Sequence, residues 1–139
     1  MLSDTEDPMQ PKPASQPSDR ETRVILAGAL SRLLELWKLS TADRLALLGL
    51  SESNRIALQR YASGAPLAAS RDLLDRAGHL LGIHKSLKLL FPRNEELERG
   101  WMSSPNLKFG GETPVAVVRR FGLPGLVMVR GTLDAMRGG

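Results

Sequence analysis

"TADRLALLGLSESNRIALQRYASG", residues 41–64, is the stretch that decides the fold of the segment around it. It is preceded by Ser40, and Ser40–Asp43 is a helix-capping signal, because side-chain oxygens of this kind accept the unpaired amide hydrogens of a first turn. The helix predicted over residues 41–48 ends at Gly49, since glycine readily adopts the positive φ that helix ends often need. A second helix is predicted over residues 52–62. This order is typical of a helix-turn-helix.

The helix-turn-helix pattern predicts an interior and a DNA-facing edge. Four apolar side chains are expected to pack the two helices together: Leu47, Leu50, Ile56 and Leu58. A helix fits the major groove, where its N-terminal residues meet base edges and nearby groups meet phosphate. The residues expected to contact DNA are therefore Arg44, Ser53, Asn54, Arg55, Gln59 and Arg60. A helical hairpin that touches no DNA has the same pattern, so both interpretations stay open.

Leucine and alanine recur at helical spacing outside this stretch as well, and no run of valine and isoleucine alternates with polar residues over the length of a strand. The fold class predicted is therefore all-α. One helix precedes Ser40, and a long one follows Pro66 and runs to about Leu90. After a break at "FPRN", further helices are expected over residues 95–102, from Pro114 behind a capping Thr113, and from Leu123 onward.

The last helix, in "GLPGLVMVRGTLDAMRGG" at residues 122–139, is more apolar than one buried face requires. Helical spacing places Leu126, Val129, Leu133 and Met136 on a core-facing stripe. Small and apolar residues occupy most of the remaining surface: Gly125, Val127, Met128, Thr132 and Ala135. Only a narrow polar strip interrupts it, formed by Arg130, Asp134 and Arg137. This surplus of apolar surface predicts that the last helix is covered by another chain as well as by its own domain.

Composition places further bounds on the protein. The chain has 139 residues and no cysteine, which excludes disulfides and thiolate metal sites and fits a reducing compartment. Residues 1–20 carry a net charge of −2 in a proline- and serine-rich sequence, and are predicted to be a disordered acidic tail. They lack the apolar stretch of a signal peptide, and no uncharged run reaches the ~20 residues of a membrane span. A cytoplasmic protein is expected.

The sequence offers little support for catalysis. His79 and His84 are five residues apart, roughly 140° around a helix, so they do not face one metal ion. His84 is interpreted as a hydrogen-bonded core histidine and His79 as a solvated one. "FGGETP" at residues 109–114 resembles an anion cradle, but no strand or P-loop lysine accompanies it and Pro114 lacks an N–H donor, so a plain turn is favoured. We expect no catalytic residue, no metal and no cofactor.

Two long segments resemble a known family. "LAASRDLLDRAGHLLGIHKSLKLLFP" and "PNLKFGGETPVAVVRRFGLPGLVMVRGTLDAMRGG" are similar to the Xre/MbcA/ParS antitoxins, and the resemblance spans about residues 22–139. It implies an N-terminal Xre-like helix-turn-helix bundle over residues 21–90 and a small helical toxin-binding domain over residues 91–139. It also implies a non-enzymatic antitoxin that blocks the cleft of a NAD-consuming RES-domain toxin with its C-terminal helices and represses its own operon. A homodimer within a larger toxin–antitoxin complex is expected.

The resemblance assigns toxin-binding positions in two groups, of which the first is expected mainly to build the domain. The residues are Trp101, Phe109, Gly110 and Gly111 in the first group, and Arg130, Asp134, Arg137, Gly138 and Gly139 in the second. The sequence departs from the most compact Xre motifs in the longer span between Gly49 and Gly64, which leaves the docking of the second helix open. The alternative function is a helix-turn-helix transcriptional regulator without a toxin partner.

Overall fold

The computed structural model describes residues 19–138, and the predicted tail up to residue 18 and the predicted toxin contact Gly139 lie outside the described residues. Within residues 19–138 there are seven α-helices, three short 3-10 turns and no strand, which confirms the all-α prediction. The helices are α1 Arg20–Leu36, α2 Thr41–Leu48, α3 Arg55–Ala62, α4 Arg71–Leu90, α5 Glu95–Gly100, α6 Pro114–Phe121 and α7 Leu123–Met136.

Side-chain caps set where several helices begin. The hydroxyl of Ser40 accepts from the backbone N–H of Asp43 at 3.1 Å, and the hydroxyl of Thr113 accepts from the N–H of Ala116 at 3.0 Å. Both predicted starts are thereby confirmed. α4 begins at Arg71, later than the position after Pro66 that the sequence indicated, because Ser70 caps it by accepting from Leu73.

The helix-turn-helix contains a feature that accounts for the long span from Gly49 to Gly64. A 3-10 turn, Glu52–Asn54, precedes α3, so the α-helix is only eight residues long. No residue of α3 is fully buried, and the helix packs on the core through the partly buried Leu58 and Tyr61. Ile56, predicted to pack inside the motif, is 61% exposed, because it lies on the side of α3 opposite these two residues.

α7 packs against α4 and α6, and its buried residues are Gly125, Leu126, Val129 and Leu133. The predicted stripe is confirmed except at Met136, which is 37% exposed. The reason is length: α6 has eight residues and α7 has fourteen, and the two helices are joined directly at Gly122. The last turns of α7 therefore extend past the start of α6.

A single cluster of buried side chains continues from α1 through α4 into α7, across the predicted boundary at residues 90 and 91. Two polar contacts also join the segments. Arg119 on α6 forms an ion pair with Asp43 on α2, and Arg137 after α7 donates to the hydroxyl of Ser86 on α4 at 3.1 Å. Within the first segment, Arg76 on α4 donates to the carbonyls of Ala46 and Leu47 at 3.2 and 3.3 Å. The division into a helix-turn-helix domain and a toxin-binding domain stays a prediction about function.

Candidate functional site

One side of α7 presents an uncharged surface to solvent. We call it the outer face of α7 and define it by residues that share the side opposite the buried stripe: Pro124, Val127, Met128, Gly131 and Ala135. Val127 is 50% exposed and Met128 is 48% exposed. The helix is therefore partly covered by α4 and α6, and the described chain leaves the outer face uncovered.

The polar strip of α7 runs along its border with α4. The guanidinium of Arg130 lies over Gly82, where a Cβ atom would come within 2.5 Å of Arg130 Cζ, and one of its nitrogens is 3.3 Å from Nδ1 of His79. This contact corrects the interpretation of His79 as a solvated residue, since it is half-buried beside Arg130. Sequence spacing within α4 showed its polar neighbour Asp75 but not the helix that packs across it.

Arg137 and Asp134 occupy the same border one to two turns further along. Arg137 donates to the hydroxyl of Ser86 at 3.1 Å and lies 4.0 Å from the carboxylate of Asp134. Both side chains stay partly exposed, and with Arg130 and Gly138 they line an open groove at the end of α7. The structure thus gathers four of the predicted toxin-binding residues at one place, and their role stays a prediction.

The first group of predicted residues lies on the loop before α6. Trp101 is almost completely buried and meets Phe109 edge to face, with ring centroids 6.4 Å apart. Gly110 and Gly111 have φ of 67° and 91°, values that favour glycine. The buried Trp101 has little surface left for a partner, and the two glycines turn the loop. The role of these four residues toward a toxin stays a prediction.

The same loop carries an exposed residue that sequence reasoning missed. Leu107 is 94% exposed in the 3-10 turn Leu107–Phe109. The loop around this turn is closed by a hydrogen bond from the N–H of Asn106 to the carbonyl of Glu112 at 3.0 Å. The side chain of Asn106 also accepts from the N–H of Lys108 at 2.9 Å. No periodicity marks a residue in a loop, so only the structure identifies this apolar tip.

His84 lies where α4 meets α5. Burial lowers the pKa of His84 below its ordinary value, the cation of Lys88 lowers it further, and the carboxylate of Glu98 opposes both. Its Nδ1 is buried without a hydrogen-bond partner, which corrects the expectation of a hydrogen-bonded histidine. No set of three or more metal-ligating side chains clusters anywhere in residues 19–138, and no helix there could span a membrane.

Three of the predicted DNA-contacting residues, Arg44, Arg55 and Gln59, line one open groove of the helix-turn-helix. Ser53, Asn54, Arg55, Gln59 and Arg60 are exposed. Arg44 lies at the edge of the same groove but is already bonded, because its Nε donates to the carbonyl of Leu39 at 2.9 Å and it lies 3.3 Å from the carboxylate of Glu35.

Comparison with known proteins defines the class. The antitoxin Xre/MbcA/ParS C-terminal toxin-binding domain family matches residues 86–139, which include the end of α4, the loop with Leu107 and the outer face of α7. The chain belongs to the Xre/MbcA/ParS antitoxin family. It is also similar to the uncharacterized protein y4oB of Sinorhizobium fredii, with 32% identity over 131 residues that cover 94% of this chain and 98% of y4oB. The helix-turn-helix lies outside the family match.

Proposed function

We propose that this chain neutralises a cognate RES-domain toxin in the cytoplasm by blocking, with α7 and the residues after it, the cleft through which the toxin takes up NAD. The observation that carries the proposal is the outer face of α7, which is uncharged, half exposed and within the family-matched toxin-binding domain. Apolar surface of this kind gains about 25 cal/mol for each Å² removed from water. Burial of the outer face of α7 in a pocket of a second protein would therefore be favourable.

The polar groove at the end of α7 supports the same proposal. Arg137 supplies a cation that could lie beside the groups that otherwise receive NAD phosphates. To turn toward a partner it has to give up its hydrogen bond to Ser86, an interaction between one charged and one neutral group that contributes about 1.5–3 kcal/mol. A charge-assisted hydrogen bond to the toxin would replace it at comparable strength, so the exchange would cost little free energy.

Operator binding is the second part of the proposed function, and the exposed polar surface of α3 favours it. Arg55 and Arg60 form no ion pair with any residue between 19 and 138, so both guanidiniums are open to phosphate or base edges. A homodimer would present two such surfaces to a symmetric operator. Binding should weaken steeply as salt rises, because counterions leave the DNA.

Co-expression tests the toxin part. The chain is produced together with the product of the reading frame adjacent to its own gene, and growth and cellular NAD are measured. Val127→Asp and Met128→Asp should each restore toxicity and NAD loss, because a charge would be buried against the partner. Ile25→Asp is the matched control, since Ile25 is 66% exposed on α1, outside the family match, and should still protect.

Truncation separates the two ends of the chain. Removing residues 123–139 should release the toxin, whereas removing residues 1–20 should not. Protection by a folded chain lacking α7 would overturn the occlusion mechanism, and an adjacent product that leaves NAD unchanged would overturn the RES assignment. A transcriptional regulator without a toxin partner would instead bind its own promoter selectively while neither truncation affects growth.

A further inference from the structure

Ile56 is an apolar residue on the outward side of α3. It lies in the first turn of α3, which packs inward through Leu58 and Tyr61, and it points to the opposite side with 61% of its surface exposed. Helical geometry places Gln59 and Arg60 on either side of it on this outward face. Ile56 is therefore the apolar centre of the surface that the helix-turn-helix presents to DNA in the proposed function.

The residues around Ile56 favour a nucleic acid over an apolar protein surface. Arg55 and Arg60 carry guanidiniums without an ion pair in the described part of the chain, and Asn54 and Gln59 carry exposed amides. Glu52 is the only carboxylate between residues 51 and 64. A second protein chain would have to desolvate these charged and amide groups to reach Ile56, whereas the major groove offers each of them a partner.

The major groove offers one apolar group, the C5 methyl of thymine. We propose that Ile56 contacts this methyl and is a specificity-determining residue that selects a thymine in the operator half-site. The inference rests on the operator binding proposed above. It adds to that function a preference that neither guanidinium nor amide side chains can supply, because those groups recognise hydrogen-bonding edges and not the methyl.

Replacing thymine by deoxyuridine removes the methyl and leaves every hydrogen-bonding group in place. The probe is the highest-affinity duplex selected from a random library by the full-length protein. Each thymine in it is changed singly to deoxyuridine, and Kd is measured by fluorescence anisotropy. At least one position per half-site should weaken binding by about fourfold, the value for one methyl group removed from water.

Variants connect that loss to one side chain. Ile56→Ala should bind the thymine and deoxyuridine duplexes equally, while Ile25→Ala should retain the difference, since it removes the same atoms from an equally exposed isoleucine on α1. Thermal melting of each variant checks that the chain is folded. Ile56→Val serves as a second variant, because it keeps two methyl groups and should keep part of the discrimination.

The outcomes are distinguishable. Failure to enrich any duplex would overturn operator binding itself, and the inference with it. Selective binding that ignores every deoxyuridine substitution would overturn the inference alone. A preference for thymine that survives in Ile56→Ala would show that another side chain contacts the methyl, and would overturn the inference. A change in oligomeric state caused by Ile56→Ala would show that Ile56 contacts a second protein chain, and would overturn it as well.

Discussion

Gly125 and Gly131 lie on the same helix, and the structure predicts opposite effects of the same substitution at the two positions. A Cβ atom at Gly125 would lie 2.7 Å from the carbonyl oxygen of Val117 and 2.9 Å from the Cα atom of Val118. A Cβ atom added at Gly131 would have no atom outside the local helix within 4 Å. Gly125 therefore lies directly against the backbone of α6, whereas Gly131 belongs to the outer face.

The magnitudes follow from these distances. The atoms that meet the new Cβ at Gly125 belong to the backbone of α6, so they cannot rotate away, and overpacking of this kind costs about 1–3 kcal/mol. Against it stands a helix-propensity gain of at most about 1 kcal/mol. Gly125→Ala should therefore lose up to about 2.5 kcal/mol. Gly131→Ala should gain about 0.5–1 kcal/mol, because only the propensity changes.

Differential scanning calorimetry of the full chain measures both variants. For a domain of this size 1 kcal/mol corresponds to about 4 °C in Tm, so Gly125→Ala should melt up to about 10 °C lower and Gly131→Ala about 2–4 °C higher than wild type. A Tm of Gly125→Ala at or above the wild-type value would refute the close approach of the two helices. Equal shifts in both variants would show that helix propensity, and not contact with α6, governs the effect.

Three other predictions concern α4. Gly82→Ala should displace the guanidinium of Arg130 while leaving Tm unchanged or slightly raised, because the flexible side chain can move, and co-expression should show weaker toxin neutralisation than in Gly78→Ala, where the added Cβ meets nothing. Arg76→Met should lower the free energy of unfolding in urea by about 1–3 kcal/mol, since the carbonyls of Ala46 and Leu47 each lose the guanidinium as a donor and Asp72 loses its ion pair, and an unchanged value would contradict that role. His84 has a lowered pKa, so its contribution to stability is complete above its ordinary value of 6.5 and is lost as the pH falls through the lowered pKa. His84→Gln should therefore lose less stability than wild type between about pH 7.5 and about pH 5 in urea titrations, and parallel losses would exclude His84 as the titrating group.

Helix starts and turns were readable from the sequence because they depend on neighbours a few residues away. Ser40 and Thr113 cap helices by accepting from an N–H three residues later, and Gly49 ends α2 with φ of 71°. The same locality explains the success of the all-α prediction. The boundary at residue 71 was missed because several residues after Pro66 could have begun a helix, and Ser70 is the one whose side chain caps it.

The candidate sites were only partly readable. Spacing showed that α7 carries more apolar surface than one face can bury, and the family resemblance indicated what kind of partner covers it. Spacing could not show that Ile56 points outward, because an apolar residue in a short helix fits an inward stripe equally well. Leu107, in a loop, had no periodic signal at all.

The sequence by itself determined the fold class, most helix limits, the surplus of apolar surface on α7 and the resemblance to the antitoxin family. Only the tertiary structure decided which side of α7 stays open to solvent, which arginines of α7 contact α4, and that Ile56 faces outward. The physical reason is that propensities and caps act over one or two turns of chain, whereas burial depends on contacts between residues such as Gly82 and Arg130, which are distant in sequence and meet only when the helices pack.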